Sequence, residues 1–295
     1  MSPTGSSGCW RPMLSSSPDK LVTRCQPWLG TFVEISVAEA DMGAVEAAFR
    51  AIAHIHACMS FHSADSDLAR LRSARPGETV AVDEETAAVL RMAVALHEAT
   101  DGLFDVAVGR ALVRSRFLPR EGIAHLSRYT GTTADIEIID DRHVRCRKRL
   151  LIDLGGIAKG HAVDRAVAAL QAAGVRAGLV NAGGDLRAFG EQDWQVQLRD
   201  ADDVVRYGLT VRNCAMASSA NLFDRHAIRG TLHSPHVGRN GAPALIDHRV
   251  TVLADKCAIA DAMTKVAMVD ADLADRILAT RNGYVLRPSM TREAA

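Results

Sequence analysis

The stretch Leu150–Val163, reading LLIDLGGIAKGHAV, constrains this chain more than any other. A short apolar run ends at Asp153, the pair Gly155-Gly156 follows, and from His161 to Ala173 apolar residues recur at helical spacing. The order is strand, glycine turn, helix. A helix start leaves N–H groups without intrahelical partners, and Lys159 sets a positive charge beside them, so a phosphate or pyrophosphate suits the junction. The pattern is neither GxGxxG nor the P-loop form, and glycine turns of this sort are more often plain connectors.

What surrounds this junction narrows the class. With 295 residues, 48% of them hydrophobic, the chain can bury a substantial core as one large domain or two intertwined lobes. Lys+Arg and Asp+Glu both number 35, and no dense basic stripe stands out, so no nucleic-acid partner is expected. Six cysteines lie far apart without CxxC spacing, which argues for reduced thiols rather than a zinc cluster or disulfide scaffold. No run reaches the roughly 18 apolar residues of a transmembrane segment. Residues 1–27 are rich in Ser and Pro and lack the apolar core of a secretory signal, so a disordered tail and a cytoplasmic location are expected.

Order is expected from Trp28, where alternation through Val37 reads as a half-buried strand. Asp41 is placed to cap a helix over Met42–Met59, and Asp83 a second one ending at Ala99. His54 and His56 stand two apart and face different directions, which disfavours a metal pair. Asp105 suits either a ligand hydroxyl or a cap. Between Arg110 and Thr133 no period emerges. Ile136–Ile139 with His143–Cys146 reads as a hairpin, Gly178–Gly190 as strand, glycine turn and strand, Arg249–Leu253 as a strand and Asp255–Val269 as a helix. Strands and helices mix without strict alternation, so the expected class is α+β, with mixed or antiparallel sheets and packed helices.

Six landmarks then stand in a recognisable order: Leu29-Gly30-Thr31; Ser66-Asp67-Leu68-Ala69-Arg70-Leu71; Gly102-Leu103-Phe104-Asp105; Asp153-Leu154-Gly155-Gly156-Ile157-Ala158-Lys159-Gly160; Asn181-Ala182-Gly183-Gly184-Asp185; and Val250-Thr251-Val252 leading to Ala260-Asp261-Ala262. In this the chain resembles the ApbE family, FAD-dependent transferases that move FMN from FAD onto a threonine or serine of a flavin-accepting partner protein. The resemblance implies one ApbE-like domain over residues 28–288, with a T-fold-like core, between tails at 1–27 and 289–295. It implies FAD as substrate and Mg2+ as metal. The family is often exported to the periplasm, which leaves the compartment open.

Residue by residue, the resemblance implies that Leu29 and Phe61 pack on the isoalloxazine, that Leu103, Phe104 and Asp105 contact the adenosine end, and that Gly155, Lys159 and His161 line the pyrophosphate channel. Ser219 falls in a segment that replaces the family's Thr-Ser-Gly run. The family's metal is held by a backbone carbonyl, an aspartate and a threonine four residues on. Ala158 and Asp261 match the first two; Lys265 stands at the third, with Thr264 adjacent. An ammonium cannot ligate a cation and can instead take its place. The loop that usually carries histidine and aspartate before a proline reads Thr231-Leu232-His233-Ser234-Pro235, so His233 is the catalytic candidate beside Asp261, with His236 as the other histidine in reach. The alternative function is an FAD-binding relative that has lost transfer and acts as carrier, sensor or scavenger.

Overall fold

The computed structural model describes residues 20–200, 204–221 and 224–287, together with the backbone of Arg292–Glu293. Its organising element is a seven-stranded antiparallel sheet: β1 (Leu21–Trp28), β2 (Thr31–Ala38), β3 (Gly178–Ala182), β4 (Asp185–Phe189), β5 (Ala215–Ser219), β6 (Val250–Ala254) and β7 (Tyr284–Val285). Spatial order in the sheet is chain order. In β2 the alternation works as expected: Val33, Ile35 and Val37 are fully buried, while Phe32 is exposed.

The expected N-terminal tail ends early. Residues 1–19 lie outside the described residues, but Leu21–Trp28 pairs with β2 along its whole length, from Leu21 opposite Ala38 to Trp28 opposite Thr31. Leu29 and Gly30 connect the two strands with φ of 57° and 75°. Positive φ at both central residues is the type I′ geometry whose twist matches a hairpin. The strand is hard to read in the sequence because it lies at the sheet edge with most of its side chains exposed, so no apolar face marks it. At the other end, Arg292–Glu293 pairs with Val205–Val211 where a tail was expected; the rest of 289–295 lies outside the described residues.

Seven α-helices are present among the described residues: α1 (Val45–Met59), α2 (Asp67–Ser73), α3 (Glu84–Ala99), α4 (Gly109–Arg114), α5 (Ala158–Ala172), α6 (Cys257–Ala267) and α7 (Ala271–Ala279). On one face of the sheet α1 lies beside α5 and α5 beside α6, burying Ile52, Val163 and Met263 with Val180, Ala217 and Val252. On the other face Leu186, Met216 and Leu253 meet Trp194, Leu198 and Val211 of a smaller sheet.

Asp83 caps α3 by accepting the Glu85 N–H at 2.9 Å. Asp41 does not cap α1: Glu39–Ala44 closes as a 3-10 turn first, and the helix starts at Val45 with no side-chain cap. α4 occupies the start of the span where no period emerged; it is too short to show one. α5 begins at Ala158, three residues before the expected start, because the Ile157 and Ala158 N–H groups both turn back to the Leu154 carbonyl. Asp164 of α5 then caps its neighbour, its two oxygens accepting the Cys257 and Ala258 N–H groups, both at 3.0 Å. Gly160 makes that approach possible, since the α6 backbone lies where its side chain would be.

Candidate active site

The start of α5, the end of β5, α6 and the segment after Pro235 converge on a cavity of about 430 Å³. Its walls include Leu103, Phe104 and Asp105, then Asp153, Gly155, Gly156 and Lys159, then Ser218 and Ser219, with Pro235, His236, Arg249 and Lys265 closing the ring. The volume and the mixture of apolar wall and convergent polar groups are those of a small-molecule site.

At its base two lysines meet two buried carboxylates. Lys159 pairs with Asp185, which is 1% exposed. Burial works against the Lys159 ammonium, but Asp185 and Asp261 outweigh it and hold its pKa above the ordinary lysine range. Asp261 is fully buried, and although burial alone would raise its pKa, Lys265 and Lys159 together hold it below the usual carboxylate value. The Lys265 ammonium donates to Ser219 Oγ at 2.7 Å, Asp261 Oδ1 at 2.9 Å and Thr264 Oγ1 at 3.0 Å. Asp261 Oδ2 accepts the Gly160 N–H at 3.2 Å. Thus the Asp261 carboxylate ties the glycine junction to α6, and Lys265 adds the end of β5.

The Asn181–Asp185 turn reaches the same region through Asp185. Gly183 has φ of 65°, and a Cβ there would sit 3.1 Å from Thr31 Cβ, so the turn between β3 and β4 rests on the residue that follows the β1–β2 turn. Leu29-Gly30-Thr31 and Ala182-Gly183-Gly184 are neighbours because both turns close at the same end of adjacent strands.

Of the expected site residues, Leu103, Phe104, Asp105, Gly155, Lys159 and Ser219 line the cavity. Asp105 also anchors its own loop, its Oδ1 accepting the Ala107 N–H at 2.7 Å and the Thr133 hydroxyl at 2.7 Å. Leu29, Phe61, His161 and His233 do not line it. Leu29 occupies the β1–β2 hairpin tip and packs against the main core. Phe61 is buried with Val113, Ile123 and Leu151, under the Arg72 guanidinium. His161 is held against α3, its Nε2 2.7 Å from Glu85 Oε2; burial lowers its pKa, with Glu85 opposing.

His233 belongs to a hairpin that the sequence reading missed, His226–Ile228 with Thr231–His233. Strand periodicity puts Thr231 and His233 on one face, and both line an outer depression that adjoins the main cavity across Phe117 and Leu118. His236, beyond Pro235, lines the main cavity instead. Its Nε2 lies 3.2 Å from the Ala220 carbonyl, which can only accept, so Nε2 carries the hydrogen and Nδ1 keeps a lone pair. Burial and the Lys265 charge push its pKa down to about 4, leaving the ring neutral at ordinary pH. Asp153 moves the other way: burial raises it to about 6, partly offset by the Gly155 N–H. Leu222, which stands where the resemblance implies a tyrosine, lies outside the described residues.

The expected magnesium ligands are Ala158, Asp261 and Thr264. The set does not fit a divalent cation as it stands. Both Asp261 oxygens already accept protein N–H groups, and the Thr264 hydroxyl donates to the Asp261 carbonyl at 2.7 Å while accepting from Lys265. A cation at Asp261 would contact the Lys265 ammonium directly.

Comparison with known proteins places this arrangement. The ApbE family model matches residues 29–285. A FAD:protein FMN transferase of Rhodobacter capsulatus is 30% identical over 201 residues, which are 63% of this chain and 38% of that protein, so this chain spans well under half of that relative. A protein of the same name from Vibrio cholerae is 27% identical over 253 residues, 75% of this chain and 71% of that one. The crystal structure of the ApbE protein of Thermotoga maritima matches with a TM-score of 0.78 at 28% identity, covering 90% of this chain and 94% of that chain. Since the family model matches almost the whole described fold, from the β1–β2 turn to β7, the chain belongs to the ApbE family.

Proposed function

We propose that the protein is an FAD:protein FMN transferase, and that the cavity binds FAD with its pyrophosphate against Lys159, Lys265 and the Gly155-Gly156 backbone. The single observation that carries the reading is the convergence of two ammonium groups, a helix start and a neutral histidine on one cavity. Anionic oxygens are met by the Lys159 ammonium and the Gly155-Gly156 backbone, with the Lys265 charge close by. In the reaction a threonine or serine hydroxyl of the acceptor protein attacks the phosphorus on the FMN side. The bond from that phosphorus to the bridging oxygen breaks, AMP leaves, and His236 Nδ1 takes the hydroxyl proton. The two lysines balance charge that shifts onto the leaving AMP phosphate. Names carried by the relatives support this reading, as does the intact Asp153–Gly160 segment.

The direct test is to mix the purified protein with FAD and a flavin-accepting domain that carries a threonine acceptor, denature the mixture and look for flavin fluorescence on the acceptor band. A labelled acceptor is expected. An unlabelled one, with FAD bound at the cavity, would turn the reading to a flavin carrier or sensor.

Asp153 gives the site a pH dependence. Its carboxyl titrates near 6 in the folded protein, so below that value it is neutral and above it adds negative charge beside an anionic ligand. FAD affinity is therefore expected to fall as pH rises from 5 to 7. Fluorescence titration of Asp153→Asn should show this dependence removed; an unchanged slope in the variant would assign it to another group. The sign for folding is the same: between the unfolded and folded pKa the folded protein holds the extra proton, and stability drops as pH rises through about 6.

A further inference from the structure

We propose that the Lys265 ammonium is a built-in replacement for the divalent cation, so that flavin binding in this protein is independent of metal. The inference rests on the reading of the cavity as an FAD site and specifies which cation occupies the Asp261 position beside it.

The ammonium is fully used. It has three hydrogens, and three oxygens lie at 2.7, 2.9 and 3.0 Å, on Ser219, Asp261 and Thr264. Two of these residues are the side chains from which the metal site was expected to be built. The separations are hydrogen-bond lengths, well beyond the roughly 2.0–2.1 Å that magnesium demands of its oxygens. The second oxygen of Asp261 accepts the Gly160 N–H, so a cation would have to share each carboxylate oxygen with a protein N–H.

Charge balance agrees. Lys159 and Lys265 match Asp185 and Asp261 one for one in a buried cluster. A dication added to that set would sit in contact with an ammonium, and an uncharged residue at 265 would instead leave the cluster one positive charge short. The local packing is also fitted to the lysine. A Cβ on Gly156 would meet Lys265 Cγ at 3.3 Å and Cε at 3.4 Å, so the lysine stem crosses the glycine turn where a larger residue would crowd it. Gly156 thus has a second use: besides closing the turn ahead of α5, it leaves the channel along which the Lys265 side chain reaches Asp261.

Two measurements on the full chain test this. In the first, FAD is titrated by flavin fluorescence in EDTA and again in excess magnesium. The wild type is expected to bind with affinities within about twofold of each other, whereas Lys265→Thr should lose about tenfold or more in EDTA and recover with magnesium, the span of one displaced charge contact. In the second, Mn2+ is titrated without flavin and followed by electron paramagnetic resonance. The wild type should leave the ion free, and Lys265→Thr should take up about one equivalent. Wild-type FAD binding that appears only with magnesium, or stoichiometric Mn2+ uptake by the wild type, would overturn the proposal, and neither outcome depends on a folded variant. If the wild type binds no FAD under either condition, the FAD reading fails, while the Mn2+ titration still decides between lysine and metal.

Discussion

Gly160→Ala is expected to lower the melting temperature by roughly 6–12 °C and to weaken FAD binding at the same time. The added Cβ would lie 2.7 Å from Ala258 N and closer still to the Cys257 carbonyl. These are backbone atoms at the start of α6, with no flexible side chain to move aside, so the two helices must separate. Overpacking of this kind typically costs 1–3 kcal/mol, and a backbone clash belongs at about 3 kcal/mol. For a domain of this size each kcal/mol shifts the midpoint by about 2–4 °C. Separation also lengthens the bond from the Gly160 N–H to Asp261 and disturbs the seat of Lys265. Differential scanning calorimetry and FAD titration on one preparation check both halves. A midpoint within about 2 °C of wild type would show that α5 and α6 can slide apart without loss, contrary to the packing described.

The second large effect is chemical. His236→Gln is expected to reduce the rate of flavin transfer by about 10²- to 10⁴-fold, the usual contribution of a positioned general base, with FAD affinity held within about threefold. Glutamine keeps a donor for the Ala220 carbonyl but offers no basic lone pair. His233→Gln, altering a side chain that lines the outer depression, should transfer at near the wild-type rate. Single-turnover labelling of the acceptor separates the two variants, and a slow His233→Gln beside a normal His236→Gln would reverse the assignment.

These two variants mark what could be read from the sequence. The Asp153–Gly160 segment was legible because glycine pairs and a following helix have local signatures, and six landmarks in order pointed to one family. The cavity wall at Leu103–Asp105 followed from the same order. His236 was harder to place. Pro235 suggests a turn, but which histidine enters the cavity depends on pairing between His226–Ile228 and Thr231–His233, a short hairpin without apolar alternation. His161 illustrates the converse. Its position in the motif points at the pyrophosphate, yet its direction is set by Glu85 on α3, about a quarter of the chain away and invisible to any local pattern. Lys265 was legible as a departure, but only the fold reveals that its ammonium reaches Ser219 at the end of β5 as well as its own helix.

The sheet's chain-order arrangement has a consequence for synthesis. β2 must wait for β3 while residues 39–177 are made, and the candidate site stays incomplete until α6 has followed β6. During that interval the edge carrying Val33, Ile35 and Val37 has β1 on one side and nothing on the other, the kind of open edge that recruits other chains. A nascent chain therefore carries its aggregation hazard early and any ligand's stabilising help late: if the cavity binds FAD as proposed, FAD cannot rescue a ribosome-bound intermediate that stops short of Lys265, and raising flavin supply should improve the yield of finished protein without protecting truncated products.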